Sequence, residues 1–159
     1  MLLAIRRRNP GLQDREMAEQ RKFIRHPSDI PIEFSAHDDA PLSRSGQAHD
    51  VSFGGLAFES TECPTSGAII QIRIPTVNPP FETRGEVVWC RRLDGRYEVG
   101  VRFLEHSDAF KARMVEQVCH IEQYKRDVLE REGRHLTGAA AAREWIEKYA
   151  SRFPGADAA

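Results

Sequence analysis

The sequence predicts a mainly β domain followed by about two α-helices, and three observations support this fold class. Short segments between residues 30 and 74 alternate apolar and polar side chains, as strands with one buried face do. Two longer β-rich segments flank an Asp-Gly pair, which is the strongest short-range signal for a β-hairpin. After Phe103 the apolar spacing changes to three and four residues, which is typical of amphipathic helices.

Length and composition indicate one globular domain with an appendage. The chain has 159 residues, of which 40% are hydrophobic and 30% charged, as in soluble globular proteins. No segment approaches the roughly 18 apolar residues of a membrane span. The apolar residues at the N-terminus precede the first arginines, which is the wrong order for a secretory signal. We therefore expect a cytoplasmic protein without a membrane span.

The cysteine pattern predicts free thiols. Cys63, Cys90 and Cys119 are odd in number and widely spaced, and they form no C-x-x-C motif. Neither a disulfide framework nor a zinc site is therefore indicated. We expect reduced cysteines and no metal or other cofactor.

Three short strands are predicted from the alternation, at residues 30–34, 56–58 and 70–74. Upstream, His26-Pro27 and Ile30-Pro31 oppose helix formation because proline pushes the preceding residue toward extended geometry. The segment before them is therefore predicted to be a linker.

The hairpin signal allows a register to be predicted. With a two-residue loop at Asp94-Gly95, Cys90 lies opposite Val99 and Val88 opposite Val101 on the core face. On the other face, Trp89 lies opposite Gly100, which offers the indole no cross-strand side chain to pack on. We therefore expect the ring to be available to a stacking base, unless the C-terminal helices cover it. The predicted pairs of the outer face are Arg91 with Glu98, Val87 with Arg102, and Trp89 with Gly100.

Two helices are predicted after the hairpin. Ser107 can cap the first, which ends at Gly133, and Thr137 can cap the second, which ends before Pro154. Their apolar stripes can pack on the β domain, on each other, or on a second copy in a homodimer. The stripes contain Phe110, Met114, Val118, Ile121 and Val128, then Ala142, Trp145, Ile146, Tyr149 and Phe153.

Two short signatures carry the chemistry. The first is Arg21-Lys22-Phe23-Ile24-Arg25, whose guanidinium groups can grip phosphate oxygens or the edge of guanine. It follows an N-terminal segment in which basic residues outnumber acidic ones, an arrangement that attracts anions. Taken alone, these charges also suit a solvated terminus. The basic residues of the first 25 positions are Arg6, Arg7, Arg8, Arg15, Arg21, Lys22 and Arg25.

The second signature is Asp50-Val51-Ser52-Phe53-Gly54-Gly55. The Asp50 carboxylate can accept hydrogen bonds from N1 and N2 of guanine, and Ser52 adds a hydroxyl beside it. Gly54 and Gly55 lack a Cβ, so their backbone can approach a ligand closely. The other interpretation is a β-turn in which Asp50 and Ser52 bond their own backbone. Together the two signatures predict a site for a guanine nucleotide with more than one phosphate.

These residues resemble the PilZ domain, a bacterial receptor for the second messenger cyclic di-GMP. Arg21 and Arg25 match an R-x-x-x-R element, Asp50, Ser52 and Gly55 match a D-x-S-x-x-G element, and the hairpin matches the last strands. The resemblance covers roughly residues 20 to 105 and implies a six-stranded antiparallel β-barrel. The ligand-binding residues that it implies are Arg21, Arg25, Asp50, Ser52, Gly55 and Trp89, with Lys22 and Gly54 as further candidates.

The resemblance also implies a function, that of a cyclic di-GMP receptor without enzymatic activity. Such a receptor changes conformation when it binds the ligand and regulates an unidentified downstream protein. The regulated process would be motility, biofilm or exopolysaccharide formation, or virulence. Gln20 departs from the family, since many members carry another arginine there. The expected domains are a basic arm (1–19), the barrel (20–105) and a helical extension (106–159).

Three other functions fit parts of the pattern. Degenerate family members act as adaptors, but both elements are intact here. A hydrolase using His26, Asp50 and Ser52 lacks a placed base and a nucleophile elbow. A single-stranded nucleic-acid-binding barrel is disfavoured because the region from His26 to Leu104 is acidic overall.

Overall fold

The structure is a computed structural model that describes residues 23–104 and 107–149. Six antiparallel strands close into a barrel in the order β3-β2-β5-β6-β7-β4, since β4 also pairs with β3, and a two-residue strand, β1, adds to β3 on the outside. The predicted six-stranded barrel with its helical extension is thus confirmed. The strands are β1 (His26–Pro27), β2 (Pro31–Phe34), β3 (Arg44–Val51), β4 (Gly55–Ser60), β5 (Ile69–Ile74), β6 (Phe81–Leu93) and β7 (Arg96–Phe103).

The barrel interior is filled by the alternating apolar residues of the strands. In β5, for example, Ile70, Ile72 and Ile74 are buried while Gln71 and Arg73 are partly exposed. Full burial of each large apolar side chain is worth about 1.5–3 kcal/mol relative to exposure. The largest fully buried side chains of the barrel include Phe58, Phe81, Ile30, Ile32, Ile70, Ile72 and Ile74.

The turn between β6 and β7 has the backbone conformation that the Asp94-Gly95 pair predicts. Asp94 has φ 48° and Gly95 has φ 79°, so both central residues have positive φ. Cys90 lies opposite Val99, Arg91 opposite Glu98, and Trp89 opposite Gly100, as expected.

Beyond Trp89 the predicted register is wrong. Val87, not Val88, lies opposite Val101, and Arg102 pairs with Glu86. The register shifts between Val87 and Trp89, so Val88 is the extra residue of a β-bulge. Val87 therefore enters the barrel core, while Val88 joins Ala57 and Trp89 in a second, small apolar cluster.

Strand β3 has no counterpart among the strands predicted from alternation. Its sequence from Arg44 to Val51 is largely polar, and only Ala48 and Val51 are fully buried. It forms because β2, β4 and β1 all supply hydrogen-bonding partners. Long-range pairing, not local apolar pattern, determines this strand.

The two C-terminal helices are α1 (Asp108–Glu132) and α2 (Gly138–Tyr149), with the predicted caps. The Ser107 hydroxyl accepts from the backbone N–H of Phe110, and the Thr137 hydroxyl accepts from that of Ala140. Gly133 ends α1 in the left-handed conformation with φ 67°. Within residues 23–104 and 107–149, no helix has both the length and the hydropathy of a membrane span. Phe153 and Pro154 lie outside the described residues.

The helices pack on the barrel and on each other, which are two of the three packings that their stripes allow. The buried residues of the helices continue the barrel core. In addition, the Gln117 side chain accepts a hydrogen bond from the Asn78 N–H at 2.8 Å and donates one to the Asn78 carbonyl at 2.5 Å. Asp29 binds Lys125 of α1 at 2.9 Å and accepts from the Gly138 N–H that begins α2. The helical residues in the core are Met114, Val118, Ile121, Ala141, Ala142 and Trp145.

The prediction of three free thiols is wrong for two of them. Cys63 and Cys90 form a disulfide, with their Cα atoms 6.0 Å apart. The loop that joins β4 to β5 runs alongside β6, where the Ser66 hydroxyl donates to the Val88 carbonyl and the Gly67 N–H donates to the Val87 carbonyl, and this brings Cys63 to Cys90. Cys119 on α1 is a free, half-buried thiol, and burial raises its pKa.

Candidate ligand-binding site

Strand β1 brings the two signatures together. His26 pairs with Val51 and Pro27 with Asp50, so the end of the first signature runs beside the start of the second. As a result, Nη1 of Arg25 lies 3.9 Å from Oδ2 of Asp50. Two of the predicted site residues, Arg21 and Lys22, lie outside the described residues.

Asp50 lies at an irregular position of the barrel wall. The register between β3 and β4 shifts between Ala48 and Asp50, so His49 is the extra residue of a second bulge. The Asp50 side chain is 21% exposed. Burial raises the pKa of this carboxyl and nearby Glu98 adds to the rise, whereas the positive charge of Arg25 opposes it.

Ser52 stabilises the loop that follows Asp50. Its hydroxyl donates to the Gly55 carbonyl at 3.1 Å and accepts from the N–H groups of Gly54 and Gly55, both at 3.2 Å. A hydroxyl has one donor and two acceptor positions, so these bonds use its full capacity. The turn interpretation, in which Ser52 bonds its own loop, therefore describes this residue in the structure, and Ser52 acts by shaping the loop.

The two glycines of the loop are required by protein packing. A Cβ on Gly55 would lie 2.0 Å from the Val101 carbonyl oxygen, and one on Gly54 would lie 2.5 Å from the ring of Phe23. Neither glycine has positive φ. The space left by the missing side chains is thus occupied by β7 at Gly55 and by the ring of Phe23 at Gly54.

Trp89 lies opposite Gly100 as predicted, but the expected exposure of its ring is wrong, since only 3% of the residue is accessible. The indole lies across Gly100, where a Cβ would come within 2.1 Å of Trp89 Cε2. The Arg91 guanidinium lies 5.5 Å from the ring centroid, within the range of a cation–π contact. The bulge at Val88 places Val88 and Trp89 in the same cluster, which the simple alternation of the hairpin does not reveal.

Glycine at position 100 is therefore predicted to be essential for the placement of Trp89. We expect Gly100→Ala to lower the free energy of unfolding by about 1–3 kcal/mol, because the added methyl overpacks against the indole. Urea unfolding of the purified protein measures this change. Trp89→Leu in the same chain should remove part of the loss, and a fully additive double variant would contradict the contact.

Four further polar residues, Glu98, Arg91, His49 and Glu59, lie on the same face and were not singled out as site residues. Glu98 is buried and accepts from Nε and Nη2 of Arg91 at 2.9 and 2.6 Å. His49 Nδ1 lies 3.5 Å from Glu98, and its Nε2 lies 3.6 Å from Glu59. The hairpin register predicted the Arg91–Glu98 pair, but no sequence signal indicated His49, which reaches this cluster through the bulge in β3.

The arrangement is suited to binding an anion that also carries hydrogen-bond donors. Arg25 and Arg91 supply cationic forks, while Asp50 supplies an acceptor. Among the described residues, no group of three or more His, Cys, Asp or Glu side chains could hold a metal ion. The Ser52 hydroxyl donates to a backbone carbonyl, so no base activates it in this conformation.

A family model described as the PilZ domain matches residues 19–119 of this chain. The chain belongs to the PilZ domain family. Both signatures lie inside the matched range, as do all seven strands and the first half of α1. The sequence resemblance is thereby confirmed, and the match continues past the predicted barrel into the first helix.

Solved structures share the fold at low sequence identity. The PilZ domain of YcgR from Escherichia coli with c-di-GMP has a TM-score of 0.54 at 16% identity, and the alignment covers 70% of this chain and 98% of that one. The Bacillus subtilis inhibitor of motility, MotI/DgrA, has a TM-score of 0.53 at 13% identity, with 67% of this chain and 53% of that one covered.

The complex of MrkH from K. pneumonia with c-di-GMP is a third similar structure. Its TM-score is 0.51 at 14% identity, with 67% of this chain and 54% of that one covered. This PilZ chain thus aligns with about half the length of MotI/DgrA and of MrkH. No curated protein sequence matches it.

Proposed function

We propose that this PilZ protein is a receptor for cyclic di-GMP. The observation that carries the proposal is the pairing of β1 with β3, which places the Arg25 guanidinium 3.9 Å from the Asp50 carboxylate. One cationic and one acceptor group from two separate signatures thus lie at the distance that one compact ligand spans. The c-di-GMP complexes of YcgR and MrkH, which share this fold, support the choice of ligand.

Each site residue has a distinct proposed role. Arg21 and Arg25, with help from Lys22, bind the phosphates and the guanine edge, and Asp50 accepts from N1 and N2 of a guanine. Ser52, Gly54 and Gly55 fix the loop that presents Asp50. A base that stacks on Trp89 would take the place that the Arg91 guanidinium occupies, so Arg91 would move and could then bind a phosphate.

The proposed output is a change in conformation. The doubly anionic ligand neutralises the mutually repelling charges of Arg21, Lys22 and Arg25, and the segment, which already contacts the binding loop through Phe23, closes further over the barrel. The free energy of this closure comes from the ligand's higher affinity for the closed state. A downstream protein then recognises the altered arm (1–19) or helical extension (106–159). A second copy of this chain, forming a homodimer, is the alternative partner for the helical extension. We place this activity in the cytoplasm.

Isothermal titration calorimetry with cyclic di-GMP tests the proposal. We expect binding at micromolar or lower Kd, corresponding to about −8 kcal/mol or better. Arg21→Ala and Arg25→Ala should each weaken it by about 2 kcal/mol, because each removes a charged hydrogen-bond partner. Arg131→Ala, an exposed arginine in the last turn of α1, is the matched control and should bind like the wild type.

The same titration distinguishes the alternatives. Absence of heat with the wild-type protein would reject the receptor and favour an adaptor that acts through protein contacts alone. A mobility-shift assay with single-stranded oligonucleotides addresses nucleic-acid binding. A shift that cyclic di-GMP does not compete away would show that the cationic segment serves a different ligand.

A further inference from the structure

The first signature is held on the second by an aromatic contact. The rings of Phe23 and Phe53 lie with centroids 5.3 Å apart at an interplanar angle of 44°. The Phe23 ring also lies over Gly54, where there is no room for a Cβ. Phe23 is the central residue of Arg21-Lys22-Phe23-Ile24-Arg25, and Phe53 lies between Ser52 and Gly54. The two signatures thus contact each other through apolar residues that the proposed ligand chemistry does not use.

Phe23 differs in exposure from the next residue, Ile24. Ile24 is 77% exposed, whereas Phe23 is 40% exposed and directed onto the loop. Two residues after Phe23, the guanidinium of Arg25 lies 3.9 Å from the Asp50 carboxylate. Because an aromatic ring has few rotatable bonds, its contact fixes the direction of the chain that carries it. Phe23 therefore sets how the arginine segment enters the site.

Phe53 also contacts the helical extension. Nζ of Lys111, in the first turn of α1, lies 4.7 Å from the centroid of the Phe53 ring. This is a cation–π distance, and the Lys111 side chain is only 17% exposed, which is low for a lysine. Its other ionic contact is to Asp108, 3.6 Å away in the same helix. Phe53 thus contacts both the arginine segment and α1.

We propose that Phe23, Phe53 and Lys111 form an aromatic latch that positions Arg25 for the ligand and couples the binding loop to the start of α1. The three residues are positioning residues and do not contact the ligand themselves. The inference rests on the proposed function for the ligand, but the positioning part concerns the ligand-free protein. When the ligand draws the arginine segment inward, Phe23 moves on Phe53, and the Phe53–Lys111 contact transmits the change to the helix.

The positioning part is tested without ligand, by limited trypsin digestion after Arg25. Phe23→Ala should increase the cleavage rate by about two- to tenfold, the change in equilibrium that loss of an aromatic pair produces. Ile24→Ala, a change of similar size next to it, should leave the rate unaltered, and Phe23→Tyr should restore it. Equal rates in Phe23→Ala and wild type, with unfolding midpoints unchanged, would overturn the latch.

The coupling part is tested by hydrogen exchange of residues 107–113 with and without cyclic di-GMP. We expect a ligand-dependent change in wild type and in Asp108→Asn, which loses the ion pair but keeps the Phe53 contact. In Lys111→Met the change should disappear although the affinity stays within about threefold of wild type. A persistent change in Lys111→Met would overturn the coupling. If the wild-type protein binds no cyclic di-GMP, the proposed function and the coupling both fail, while the trypsin result still decides the positioning role.

Discussion

Asp50→Asn is expected to lower the affinity for cyclic di-GMP by about 30-fold, or about 2 kcal/mol, because an uncharged amide with one acceptor oxygen replaces the carboxylate that we propose bonds two guanine donors. Calorimetric titration measures the loss. Asp39→Asn, at an exposed position outside the proposed site, is the control and should retain wild-type affinity. Unchanged binding by Asp50→Asn would remove Asp50 from the site.

The same variant is expected to be more stable than the wild type at neutral pH. Burial raises the pKa of Asp50 above its ordinary value of 3.8 despite the nearby Arg25. The folded state therefore binds this proton more tightly than the unfolded state, and ionised Asp50 lowers stability progressively as the pH rises through 3.8 and the folded-state pKa. Asparagine carries no charge and therefore removes that cost. A binding site often keeps a residue that lowers stability because its ligand requires that residue.

Thermal unfolding over a pH series measures this effect. The melting temperature of Asp50→Asn should exceed that of wild type at pH 7, and the two should converge below pH 3.8, where the carboxyl is protonated in both states. A lower melting temperature for the variant at pH 7 would mean that the attraction to Arg25 outweighs burial.

Gly55→Ala is expected to be the most destabilising single change in the binding loop, by about 3 kcal/mol. Its Cβ would lie 2.0 Å from the Val101 carbonyl oxygen, and that atom is held by the pairing of β4 with β7. The backbone must move to accept the methyl group, which opens the barrel at this point. Chemical denaturation gives the change in the free energy of unfolding.

Gly54→Ala is the matched comparison. There the obstructing atoms belong to the Phe23 ring, the end of a side chain that can rotate away. We expect a loss below about 1 kcal/mol in stability, together with faster trypsin cleavage after Arg25. Similar stability losses for the two variants would contradict the difference between a rigid backbone neighbour and a movable ring.

Local signals predicted much of the fold. The Asp94-Gly95 turn, the caps at Ser107 and Thr137 and the stop at Gly133 depend on backbone conformations and hydrogen bonds within a few residues. Such features are visible in a short stretch of sequence. The signatures around Arg25 and Asp50 were identified in the same way, because their residue types and spacing carry the information.

The features that local signals missed all depend on neighbours distant in sequence. The bulges at His49 and Val88 shift the register of otherwise regular strands, and the second one buries Trp89 with Val88. The disulfide joins cysteines 27 residues apart because the loop that contains Cys63 runs beside β6. Alternation predicts which residues share a face only while the strand pairing is uninterrupted. After a bulge, the prediction of the buried face is therefore wrong.

By itself the sequence determined a β-rich domain with two capped helices and the pair of signatures that identify its family, because turn geometry, capping and apolar period are encoded residue by residue. Only the tertiary structure decided that Arg25 faces Asp50, that the Ser52 hydroxyl is used by its own loop, and that Phe53 contacts both the arginine segment and α1. Those contacts exist because a closed barrel brings the ends of distant strands together. The register of that closure is a property of all six strands at once and of no single segment.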